Sequence, residues 1–194
     1  MSNLFAKLEQ EAFKAGITPR TRESREWFAN KVRNMRNINR NTLMKDESLE
    51  LRNQQLVGSM NMFFYDPKTK DTLPFFDRFP LAIVVGPAEG GFYGLNLHYL
   101  PMNLRAKFLD ALLDNMTNKR YDEKTRFKLN YSMLQKTSRL KYFKPCFKHY
   151  LTEHLRSRFA RVPSTEWEIA TFLPTASWEK SSASGVYKVS RSMI

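Results

Sequence analysis

Residues Phe79 to Leu100 constrain the fold more than any other stretch. Phe79-Pro80-Leu81-Ala82-Ile83-Val84-Val85 is apolar throughout, as a strand buried on both faces would be, and Gly86-Pro87-Ala88-Glu89-Gly90-Gly91 reads as a turn. Phe92 to Leu100 then alternates, and Gly94 inside it predicts a bulge or bend. Upstream, Met60-Asn61-Met62-Phe63-Phe64-Tyr65 is an aromatic strand followed by the turn cluster Asp66 to Asp71. Three or four strands at this spacing predict a small, curved antiparallel sheet, a partial barrel.

Helical patterns flank that sheet. Leu4, Phe5, Leu8 and Ala12 share one helical face, Gly16 is placed to end the helix, and Thr18-Pro19 to open a second one running to about Asn39. Trp27, Phe28, Val32, Met35 and Ile38 form its apolar stripe, and residues 40–58 read as a polar connector. After Pro101, Leu104, Phe108, Leu112 and Met116 mark a helix. Phe127, Tyr131 and Leu134 mark another behind Asp122-Glu123. Phe143, Phe147, Leu151, Leu155 and Phe159 mark a last one over about 144–160. Trp167, Phe172, Leu173, Trp178 and Tyr187 stand on an irregular background.

The reading is an α+β fold within one globular unit, since 194 residues fit the usual domain size of about 100–200. Residues 1–58 form a basic helical arm and connector. Residues 59–163 form an α/β core with its sheet in 59–100 and helices in 102–160, and residues 164–194 form an extended C-terminal tail. The expected core is Phe64, Phe79, Ile83, Val85, Leu95, Leu97, Phe108, Leu112, Phe147 and Leu151.

Charge is the next constraint. Thirty-two Lys and Arg oppose nineteen Asp and Glu, giving +13, with +4 in residues 1–58, −1 in 59–100 and +10 in 101–194. A surplus of this size points to a polyanionic or acidic partner. Segment 119–161 holds thirteen cations: Lys119, Arg120, Lys124, Arg126, Lys128, Lys136, Arg139, Lys141, Lys144, Lys148, Arg156, Arg158 and Arg161. Arg20, Arg22, Arg25, Arg33 and Arg36 add a basic face on the second helix. The periodic aromatics between the cations read as core. The cations remain for phosphates or for acidic protein surfaces.

Enzyme signatures are missing. The longest apolar run, Leu81 to Val85, falls far short of the ~20 residues of a membrane span, and the N-terminus has no secretory pattern. The single Cys146 rules out an internal disulfide framework, so a reducing compartment is expected. Cys146 with His149 and His154 lacks the four ligands of a zinc site, and His98 reads as a structural or surface histidine. Asp66, Asp71 and Asp77 have the density of a metal-dependent nuclease, but turn chemistry and a local Asp77-Arg78 pair explain them better. No catalytic residue, metal or cofactor is expected.

Phe64-Tyr65-Asp66-Pro67-Lys68, Asp71 to Leu81, Gly91 to Pro101 and Trp167 to Thr175, with Tyr187 and Ser190 behind them, carry a resemblance. Together they resemble a family of small virion proteins of contractile-tailed bacteriophages, the DNA end protector proteins. The resemblance implies a virion protein without catalysis, found in the host cytoplasm during assembly and belonging to a symmetric oligomeric assembly. Its implied partners are portal, neck, tail tube or baseplate subunits, and duplex DNA ends; none is a membrane. Two roles stay open: binding of the packaged DNA end at the head–tail junction, or a baseplate or other tail subunit whose cations face acidic proteins.

Overall fold

The computed structural model describes residues 4–35, 38–116, 132, 135–136 and 141–194. Eight strands, β1 (Glu50–Arg52), β2 (Met60–Met62), β3 (Phe76–Asp77), β4 (Leu81–Ala88), β5 (Gly91–Asn96), β6 (Phe147–Leu151), β7 (Phe159–Val162) and β8 (Trp178–Glu179), are described. The α-helices described from end to end are α1 (Leu4–Lys14), α2 (Arg22–Val32), α3 (Arg40–Leu43), α4 (Met102–Met116), α5 (Trp167–Phe172) and α6 (Ala183–Ser192). Six strands form one antiparallel sheet in the order β1-β7-β2-β4-β5-β6, and β3 pairs with β8. The fold is α+β. The large sheet stays open, with β1 and β6 as its edges.

Alternation along the strands gives this sheet two different faces. On one, Met60, Met62, Leu81, Ile83, Leu95, Ala160 and Val162 join a core completed by residues of α1, α2, α4, α5 and α6, among them Phe5, Phe28, Leu109, Ile169 and Val186. On the other, Phe63, Ala82, Val84, Phe92, Tyr150 and Phe159 form a smaller aromatic core. Phe63 sits at its centre, 5.1 Å from Phe159 and 5.2 Å from Tyr150 in edge-on contacts. The bulge expected at Gly94 falls on the facing strand, as a register shift in β4 between Val84 and Gly86 beside the Val84–Gly94 pair. Gly94 is needed for close approach: a Cβ there would lie 3.1 Å from the Tyr150 ring.

Several expectations are corrected. The helix expected over 144–160 is instead a 3-10 turn at Lys141–Cys146, strand β6, another turn and strand β7. A four-residue spacing is also a multiple of two, so Phe147, Leu151, Leu155 and Phe159 fit a strand period as well as a helical one. Burial then falls on Tyr150, leaving Phe147 and Leu151 only half-buried. Phe64 is half-buried too, whereas Phe79, Ile83, Val85, Leu95, Leu97 and Phe108 are core. The Leu112 side chain and the helix expected around Phe127, Tyr131 and Leu134 lie outside the described residues.

The N-terminal helices do not reach out as an arm. Phe5, Leu8, Ala12, Phe28 and Val32 are buried within the chain's own core, and Phe28 stacks on Phe172. The second helix starts at Thr21, which with Ser24 forms a reciprocal capping box, and it stops at Val32. The expected extended tail is likewise folded. All six residues of α5 are buried, and a helix buried all round shows no apolar stripe by which a pattern could reveal it.

Candidate nucleic-acid interface

The described cations occupy unlike surroundings. Arg20, Arg22, Arg33, Lys136, Lys144, Arg156 and Arg158 are exposed. Arg22 pairs with Glu26, while Arg156 lies 3.7 Å from Asp66. Arg25 is half-buried against Asp110. Lys148 packs its ammonium 4.0 Å from the centre of the Tyr99 ring, where burial lowers its pKa, so it is a cation–π partner rather than a solvated charge. Arg36, Lys119, Arg120, Lys124, Arg126, Lys128, Arg139 and the Lys141 side chain lie outside the described residues.

Arg161 is brought beside Arg52, a residue that sequence reading assigned to the connector. Strand register explains the meeting. Glu50 pairs with Arg161, Arg161 with Asn61, Asn61 with Ala82 and Ala82 with Asn96, so five residues on five strands point to the face opposite the described helices. Arg52, opposite Phe159, shares that face. Together with the loop after β1 they border an open cleft of about 470 Å³, lined by Arg52, Gln54, Leu56, Ser59, Asn61 and Arg161.

The polar groups of the cleft hold one another in place. Asn61 Nδ2 donates to Ser59 Oγ at 2.9 Å, and Ser59 Oγ donates to the Leu56 carbonyl at 2.5 Å. Arg52 donates to Glu50 Oε2 at 2.9 Å, and Arg161 lies 3.8 Å from the same oxygen. The Arg52 hydrogen bond holds the Glu50 carboxyl below its usual pKa, with both guanidinium charges adding to the effect. A three-residue edge strand in a polar stretch left no readable pattern, so Arg52 was missed.

A second polar cluster has the parts of a hydrolase triad but not the access. Asp77, treated in the sequence as a turn residue, accepts from His98 Nδ1 at 2.6 Å, from Asn96 at 3.1 Å and from the backbone amides of Phe79 and Ser177. His98 Nε2 then faces Thr175 Oγ1 at 3.1 Å. Burial lowers the His98 pKa despite the neighbouring carboxylate, so the ring is neutral, with Nδ1–H donating and Nε2 accepting from Thr175. Hydrogen bonds and His98 keep Asp77 ionised although burial opposes it. Asp77, His98 and Thr175 are all at most 3% exposed, so the cluster ties β3 to the turn after β5 and to the segment before β8.

Other sequence candidates dissolve in the same way. Arg78 pairs with Glu179, not Asp77; Asp66 pairs with Lys70, and Asp71 is exposed. Among the described residues no group of His, Cys, Asp and Glu is placed to hold a metal ion. Burial pushes the Cys146 thiol up to about 12, which leaves it protonated and a poor nucleophile. His149 and His154 contact the carbonyls of Glu89 and Asp66. Among the described residues no helix is long and apolar enough to cross a membrane.

A basic chain with arginines on an open sheet face fits a phosphate-bearing partner. No curated protein and no solved structure matches the chain. A family model described as phage T4 terminal DNA protecting protein matches residues 1–191, nearly its whole length. The chain belongs to the phage T4 terminal DNA protecting protein family.

Proposed function

We propose that this protein is a non-enzymatic virion component that binds the end of the packaged duplex, at the head–tail junction, and denies exonucleases access to it. The observation that carries this reading is the family match over residues 1–191. The charge of +13 supports it, because cations that neutralise phosphates release counterions and gain affinity without reading sequence. Exposed Arg20, Arg22, Arg33, Arg156 and Arg158 are the described cations assigned to backbone phosphates, and the cations of 119–141 complete the set. Portal or neck proteins are the protein partners in this reading, within a symmetric assembly in the virion, and assembly takes place in the host cytoplasm.

Charge alone predicts equal binding of all DNA, whereas end protection predicts a preference for termini. Labelled linear duplex, bound at physiological salt, is challenged with equal masses of linear or covalently closed competitor. Linear competitor is expected to displace the label at least several-fold more effectively, and the bound duplex to survive exonuclease. Equal competition would refute end binding and favour the reading in which the cations face acidic tail or baseplate subunits.

A further inference from the structure

We propose that the cleft bordered by Arg52 and Arg161 holds the terminal phosphate of a DNA strand, with Gln54, Asn61 and Leu56 against the last nucleotide. This inference rests on the end-binding reading above and names the place where the end is recognised. Its volume of about 470 Å³ lies within the range of roughly 300–1,000 Å³ in which small-molecule sites fall. Two guanidiniums line it, 2.9 and 3.8 Å from Glu50 Oε2. Donors in that arrangement suit phosphate oxygens, which arginine forks bind bidentately. Half-exposed Leu56 offers an apolar surface for a base, and the Ser59–Asn61 hydrogen bond sets the polar wall in advance.

Glu50 makes the cleft selective. Its carboxylate shares both guanidiniums, so an entering anion has to compete with it. A terminal phosphomonoester carries a charge of about −1.5 to −2 and three acceptor oxygens, whereas an internal diester carries a single charge. The monoester is the better competitor, and it exists only where a strand ends. The neighbouring positions agree: Arg52 stands on the edge strand β1 and Arg161 on its neighbour β7, on the face opposite the described helices.

The test uses the full-length protein and fluorescently labelled hairpin duplexes with a single blunt end, bearing either a 5′-phosphate or a 5′-hydroxyl, together with a closed dumbbell of the same sequence. The wild type is expected to bind the 5′-phosphate end at least fivefold more tightly than the 5′-hydroxyl end. Arg52→Gln and Arg161→Gln are expected to erase that ratio while retaining binding to the dumbbell. A deoxynucleoside 5′-monophosphate is expected to compete for the wild-type site, and the unphosphorylated deoxynucleoside is not. Arg52 is largely exposed, so its variant remains informative even where Arg161→Gln proves unstable. Hairpins that outcompete the dumbbell with no difference between the two ends would overturn the cleft assignment and leave end binding standing. A dumbbell that binds as tightly as both hairpins would overturn both.

Discussion

His98 is neutral in the folded chain, because its site is too buried to hold a second charge cheaply even beside Asp77. The unfolded chain takes up a proton near its ordinary pKa of 6.5, so the stability that His98 contributes is present above that pH and is lost as pH falls below it. Asp77, also depressed, adds a loss in the acid range below its own ordinary value of 3.8. Glu166 acts in the opposite direction. Burial, aided by Glu9 and Asp46, raises its pKa to about 7 from 4.5, and its buried Oε2 has no hydrogen-bond partner. The fold therefore loses stability at this residue as pH rises from 4.5 through 7. Glu166→Gln is expected to gain on the order of 2–3 kcal/mol at pH 8 and almost nothing at pH 4.5, read by urea unfolding. The wild type is expected to lose Tm as pH falls below 6.5, and His98→Gln, destabilised overall, is expected to lose that decline. A decline of unchanged steepness in that variant would assign it elsewhere. Neither group was legible in the sequence: a lone histidine and a glutamate give no sign of their burial until the strands and the C-terminal segment are in place.

At the scale of elements, α5 organises the helical layer. Six residues are too few to form a stable helix alone, so its surroundings hold it. It packs against α1, α2 and α4. Ser24 Oγ donates to Glu168 at 2.5 Å, and Trp167 Nε1 to the Val162 carbonyl at 2.9 Å. Arg105 reaches it from α4: its guanidinium donates to the carbonyls of Leu100, His98 and Thr171 and to the Tyr187 hydroxyl, at 2.6–3.3 Å. Arg105→Leu would strand these buried carbonyls and is expected to cost about 3 kcal/mol or more, measured as a shift of the urea midpoint at unchanged slope. A loss below about 1 kcal/mol would mean that water or backbone movement replaces those bonds. The hairpin β4–β5 was readable because an apolar run, Gly-rich turn and alternating run admit few other structures. The stretch 147–159 was not, since four-residue spacing fits both periods.

At the scale of the molecule, the three expected parts share one core. Residues from α1 and α2 at one end of the chain and from α5 and α6 at the other meet on the same face of the sheet. A version ending at Pro163 would lack α5 and β8 and is expected to be unfolded, with no cooperative transition in urea; a cooperative transition would show that the sheet stands without its helical layer. The order of strands carries a consequence for biosynthesis. β7 lies between β1 and β2 and is the hydrogen-bond partner of both, although about a hundred residues separate it from them. Among the described strands, β7 alone holds that position. On the ribosome β2 therefore keeps one edge unpaired, open to other nascent copies, until residues 159–162 emerge. Completion of this sheet waits on β7, and its yield depends on how fast, and in what company, residues 159–162 follow β1 and β2.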